Sequence, residues 1–210
     1  GTDGRLTTRI TGNTITGIGG VSIFVGQTAG NANALAGGAI GLTALIRGNT
    51  VNAPVTATNH SIIAYLTSTV GQVSRANIAI ENNIINNPST GGASRPFLVD
   101  TPDANTTPEW TATVTGNTVN GVDPGTGASA DVTARRGNAC FDVRNNTVNG
   151  AFGLRVRQAA PATVNLEQGG STLATPAATV VANNNPATAV TSALGTVTVV
   201  GNATCLSPPP

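Results

Sequence analysis

Apolar residues in this chain recur at every second position in short runs, and each run ends at the same polar corner. Counting back from a central asparagine, positions −5 and −3 are apolar: Ala44/Ile46 before Asn49, Ile78/Ile80 before Asn83, Ala112/Val114 before Asn117, Phe141/Val143 before Asn146. A period of two predicts a strand with one buried face. The corner itself is copied as Ile10-Thr-Gly-Asn-Thr-Ile-Thr-Gly17, Ile46-Arg-Gly-Asn-Thr-Val-Asn-Ala53 and Ile80-Glu-Asn-Asn-Ile-Ile-Asn-Asn87. It returns as Val114-Thr-Gly-Asn-Thr-Val-Asn-Gly121 and Val143-Arg-Asn-Asn-Thr-Val-Asn-Gly150, and in worn form as Val199-Val-Gly-Asn-Ala-Thr-Cys205. Asn13, Asn49, Asn83, Asn117 and Asn146 are spaced by 36, 34, 34 and 29 residues. A second short strand follows each corner: Val21-Ser-Ile-Phe-Val25, Ile62-Ile-Ala-Tyr65, Pro96-Phe-Leu-Val99, Phe152-Gly-Leu-Arg-Val156. Gly-, Pro- and Ser-rich loops such as 27–39, 87–95 and 121–130 complete each period.

No long segment carries the apolar stripe of a helix, so helical repeat folds are excluded. Several short strands and a fixed Asn corner per repeat predict an all-β right-handed parallel β-helix, a solenoid whose repeats stack on one another. The corner Asn has a physical role in such a stack. It tolerates left-handed backbone angles, and its amide can bond to the equivalent amide one repeat away, about 4.8 Å distant. The expected structural ladder is Asn13, Asn49, Asn83, Asn117, Asn146 and Asn202. Arg47 and Glu81 share position −2, so they should be vertical neighbours. After Asn146 the rhythm breaks. Thr175-Pro176 and Asn185-Pro186 punctuate a short capping helix over 175–184, with Asn184 either its end or a further corner. The domain then divides into repeats over 1–157 and a last repeat, capping excursion and tail over 158–210.

Composition narrows the setting. Hydrophobic residues are 39% and the net charge is +1, which excludes a disordered chain. All ten basic residues are Arg, with no stripe of them and few aromatics, so no nucleic-acid partner is expected. No apolar run approaches the roughly 20 residues of a membrane span. The opening Gly1-Thr2-Asp3-Gly4, without Met, reads as a processed or truncated piece of something longer. Cys140 and Cys205 have no metal-like spacing and suit one disulfide in an oxidising compartment, the alternative being two buried thiols. Both cysteines are expected on outward positions. Their bond would require the Asn202 repeat to lie directly on the Asn146 repeat, with 158–195 as a single excursion.

The Asn-Thr-Val-Asn-Gly corners, Cys140-Phe-Asp-Val-Arg-Asn-Asn-Thr-Val148, Leu154-Arg-Val-Arg-Gln158 and the closing Cys205 resemble the C-terminal regions of large bacterial extracellular β-helix proteins. These are of the autotransporter-passenger or adhesin kind. The resemblance implies an extracellular or cell-surface location and no catalytic residue, because its motifs are structural.

Lyases on such folds use a Ca²⁺-binding carboxylate cluster with a base, and hydrolases use paired carboxylates. The best local acidic set, Asp100, Asp103 and Glu109, sits in ordinary turn sequence. His60 has no acidic neighbour in sequence, and Tyr65 and Trp110 are isolated. No catalytic residue, metal or cofactor is assigned. Arg155 and Arg157 alternate with Leu154 and Val156, so both face outward and form a candidate surface patch for acidic glycans. Thr11, Thr113, Thr115 and Thr198 make outward columns at −4 and −2, of the kind that binds ice, but Arg47, Glu81, Asp142 and Arg144 interrupt them. The expected function is a non-enzymatic structural or adhesive module, with surface glycans or copies of itself stacked end to end as partners. The alternative is a divergent polysaccharide-active enzyme.

Overall fold

A computed structural model describes residues 4–17, 20–27, 39–54, 60–66, 73–88, 97–101, 109–121, 130–149, 153–170, 175–186 and 192–205. The first repeat contributes β1 (Gly4–Thr11), β2 (Thr14–Thr16) and β3 (Ile23–Gln27), and the second β4 (Ala39–Arg47), β5 (Thr50–Asn52) and β6 (Ile62–Leu66). Then come β7 (Val73–Glu81), β8 (Ile84–Asn87) and β9 (Phe97–Thr101), and β10 (Glu109–Thr115), β11 (Thr118–Gly121) and β12 (Ala130–Ala134). The fifth repeat is β13 (Asn138–Arg144), β14 (Thr147–Asn149) and β15 (Leu154–Gln158). The sixth is β16 (Thr163–Glu167), α1 (Pro176–Asn183), β17 (Asn185–Pro186) and β18 (Ser192–Leu194), and β19 (Val197–Val200) closes the series.

Three parallel sheets result. The first is ordered β1-β4-β7-β10-β13-β16-β19, the second β17-β14-β11-β8-β5-β2 and the third β18-β15-β12-β9-β6-β3. The chain therefore visits the three sheets in rotation and returns to each one strand further along. The strands pair in the register that the aligned corners require, Ile46 on Ile80, Ile80 on Val114 and Val114 on Val143. The inward rows form one continuous core. That core mixes sizes along each row: Trp110 lies between Ala76 and Ala139, and Phe141 between Ala112 and Leu166. Small neighbours leave room for the two rings to meet edge to face, with centroids 5.1 Å apart.

Each corner is saturated with hydrogen bonds. Asn49 donates both its backbone N–H (3.0 Å) and its Nδ2 (2.9 Å) to Asn83 Oδ1. The second Nδ2 hydrogen goes back to the Ile10 carbonyl at 2.8 Å. Asn13, Asn83, Asn117 and Asn146 donate in the same two ways to the Oδ1 of the next rung. The corner carbonyl accepts from the following repeat, as Thr50 N–H to Asn13 O at 2.8 Å.

Three expectations need correction. First, the left-handed residue is the one before the ladder Asn: Gly12, Gly48, Asn82, Gly116 and Asn145 have φ of +54 to +68°. Gly and Asn alternate there because they bear that backbone cheaply. At Gly116 a Cβ would also strike the side chain of Asn82. Second, the sixth rung is Asn184, not Asn202. Asn202 turns its amide to the Gly169 carbonyl at 2.7 Å, outside the ladder. Asn184 is both the helix C-cap and the corner, so the two readings left open for it are compatible. Its Nδ2 donates to Val143 O (3.0 Å) and to Val180 O in the last turn of α1 (2.9 Å), so a helix carbonyl takes the place of a seventh amide. Third, 158–195 is not one excursion, because β16 and β18 pair as a full repeat. The disulfide forms nonetheless, with Cα atoms 5.3 Å apart. Beyond β19 the tail turns back across β16, and Cys205 N–H donates to Glu167 Oε1 at 2.7 Å.

Replacing Asn83 or Asn117 by Ala should cost about 1–3 kcal/mol each, because the neighbouring rungs lose buried partners. Thr198→Ala, exposed and off the ladder, should change stability by less than about 0.5 kcal/mol. Urea unfolding of the three variants gives the comparison, and equal losses would refute the ladder's role. Phe141→Ala should be costlier, about 3–5 kcal/mol, since the ring is fully buried and Trp110 packs on it.

Candidate functional site

Outward residues of the first sheet stand in columns, because the register is unbroken across its strands. One column runs Thr7, Thr43, Asn77, Thr111, Cys140, Asn165 and the next runs Gly41, Arg75, Glu109, Asn138, Thr163. These two columns floor an open groove of about 900 Å³ that crosses the repeats and is bordered at one side by Thr204 and Cys205. Its chemistry is hydroxyl and amide, with donors and acceptors repeating about every 4.8 Å. Its one carboxylate among the described residues, Glu109, accepts from Arg75 Nε at 2.9 Å. Thr163 Oγ1 donates to Asn138 Oδ1, which orients that end of the floor.

The third outward column carries buried carboxylates. Asp142 is 5% and Glu167 5% exposed, on adjacent strands, with Glu81 in the column beside them. Arg144 holds Asp142 Oδ2 at 2.7 Å, while Asp142 Oδ1 is buried without a hydrogen bond. Burial pushes the Asp142 carboxyl above the usual aspartate range. Arg144 opposes that shift, and Glu167 and Glu81 add to it. Arg47 reaches Glu81 at 2.6 Å across adjacent repeats, as their shared position required.

The outward arginines of the third sheet do not make a patch. Arg155 is 7% exposed and grips Asp131 of the preceding repeat, with Nε on Oδ1 at 3.1 Å and an NH2 on Oδ2 at 2.5 Å. Thr133 Oγ1 also donates to Asp131 Oδ1. The local alternation correctly set Arg155 outward, but a carboxylate from another repeat meets it there. Arg157 is half-buried. Trp110 is a core residue, 3% exposed. The side chains of Tyr65 and Asp100, and all of Asp103, lie outside the described residues, and His60 stands half-buried just before β6. Among the described residues no three His, Cys, Asp or Glu side chains come together as a metal site, and no helix is long and apolar enough to cross a membrane.

Sequence reasoning missed a second ladder, on the outer face of the second sheet. Asn86 Nδ2 donates to Asn52 Oδ1 (2.7 Å), Asn120 to Asn86 (2.7 Å) and Asn149 to Asn120 (2.9 Å). The signal was present as the Asn three residues after the corner Asn, in Asn49-Thr-Val-Asn52, Asn83-Ile-Ile-Asn86, Asn117-Thr-Val-Asn120 and Asn146-Thr-Val-Asn149. No known protein family, curated protein or solved structure matches the chain.

Because the Asp142 carboxyl is raised in the folded protein, the stability it permits is fully present at acid pH and falls as pH rises through the raised value. Asp142→Asn removes that dependence. The stability of the variant relative to the parent should therefore be greater at pH 7 than at pH 4. Parallel chemical unfolding curves at the two pH values test this, and an unchanged difference would contradict it.

Proposed function

We propose that the chain is a right-handed parallel β-helix of a bacterial extracellular or cell-surface protein, adhesin-like, and that it binds glycan chains in the groove of its first sheet without cleaving them. Rotation through three parallel sheets, with the right-handed crossover that parallel strands almost always take, supports the solenoid. The disulfide supports an oxidising location. The observation that carries the binding reading is the groove floor, in which hydroxyls and amides repeat across six strands and the single carboxylate among the described residues is held by an arginine. Such a floor offers a polyhydroxylated chain hydrogen bonds at each repeat. End-to-end association of copies is disfavoured at the sixth corner, where the Asn184 amide already donates to α1.

One observation favours the enzymatic alternative: Asp142 and Glu167 are neighbouring buried carboxylates, and Asp142 is raised. A glycan array read together with a reducing-sugar assay on pectins and alginate separates the two. Binding without release of reducing ends is expected. Asn138→Ala with Thr163→Ala should weaken that binding by about tenfold, the 1.4 kcal/mol of one or two lost hydrogen bonds. Sugar release that is abolished by Asp142→Asn would establish the enzyme instead, and absence of any glycan binding would end the adhesive reading.

A further inference from the structure

The second sheet presents a surface unlike the other two. Its strands are short, and the middle residue of each points inward: Ile15, Val51, Ile85, Val119 and Val148 all belong to the core or pack on it. The flanking residues point outward and form two straight columns. One is Thr14, Thr50, Ile84, Thr118, Thr147 and the other Thr16, Asn52, Asn86, Asn120, Asn149. All of these positions are at least partly exposed. None of them is charged, although the chain has ten Arg and nine acidic residues. The first-sheet columns, by contrast, are broken by Arg47, Glu81, Asp142 and Arg144.

We propose that this face binds ice. Its points are about 4.8 Å apart along the stack and about 6.6 Å apart along each strand, a two-dimensional lattice and not a row. The Asn column is held by its own amide ladder and the backbone by the buried one, so the outward groups keep their places without a ligand. Threonine sets a methyl and a hydroxyl side by side. The methyls and Ile84 restrain water, while the hydroxyls and amides anchor it at repeating positions. A rigid, periodic and uncharged face matches a partner that is itself rigid, periodic and uncharged. A flexible or anionic glycan needs neither the lattice nor the lack of charge. This inference does not rest on the glycan groove, which lies on a different sheet.

The test is freezing-point hysteresis and ice-crystal shaping by the full chain, with the fluorescently labelled protein followed into growing ice. Hysteresis, faceted crystals and uptake into ice are expected. Thr118→Tyr, outward and half-exposed, should abolish all three, while Thr198→Tyr on the first sheet should leave them unchanged. Ile84→Thr completes the threonine column and should increase hysteresis, a gain that misfolding cannot produce. Circular dichroism of each variant confirms the fold. Unshaped ice and exclusion of the labelled protein would overturn the proposal, as would equal activity of Thr118→Tyr. Retention of the protein on microcrystalline cellulose or chitin, with no effect on ice, would overturn it in favour of a crystalline polysaccharide.

Discussion

The stacking of the described repeats rests on one amide-to-amide contact, repeated from Asn13 to Asn184 and buried between Asn49 and Asn146. An asparagine side chain has two donors and an acceptor with two lone pairs. Inside the stack the internal rungs use them all: Oδ1 takes a backbone and a side-chain N–H from one neighbour, while Nδ2 serves the next Oδ1 and a strand carbonyl of the preceding repeat. A buried polar group so saturated stabilises modestly, whereas one left open costs more than it would have gained. The contact is therefore less an adhesive than a register device. Slipping one repeat by a residue would orphan an amide above and below and turn a whole apolar face outward.

With register fixed, side chains from different repeats meet in predictable columns, and the chain exploits this in two ways. Inward, large and small residues are offset, so that Trp110 and Phe141 share space released by Ala76, Ala112 and Ala139. Outward, charges are matched between repeats: Arg47 with Glu81, Arg75 with Glu109, Arg155 with Asp131. These pairs neutralise charge along the stack, and the second sheet is left with none in its outward columns. The same periodic scaffold offers two faces of different character, a polar groove on the first sheet and a flat Thr/Asn lattice on the second.

The C-terminal end shows how the repeat is stopped. A helix begins at Pro176, where a missing N–H costs nothing, and its last turn delivers Asn184 into the ladder while its Val180 carbonyl ends it. The tail then doubles back, and the disulfide pins it over the outer face of the first sheet. Closing a loop of 65 residues by a covalent bond contributes up to roughly 4 kcal/mol in the chain-entropy account, at the end of the molecule where the repeat rhythm is weakest.

Local periodicity by itself determined the strand before each of the first five corners, the positions of those corners, the helix near 175–184 and the vertical meeting of Arg47 with Glu81, since each depends on residues a few positions apart or on a constant repeat length. It failed where the repeat length changed. Asn202 looks like a corner because Val199-Val-Gly-Asn copies the motif, yet the 38 residues from Asn146 to Asn184 place the true rung inside a helix end. Nor could sequence tell that Arg155 would be buried on Asp131, or that the tail would cross β16 and place the Cys205 N–H on Glu167. Those outcomes are decided by which side chains the stacked repeats bring within 3 Å of one another, a relation between distant segments that no local pattern encodes.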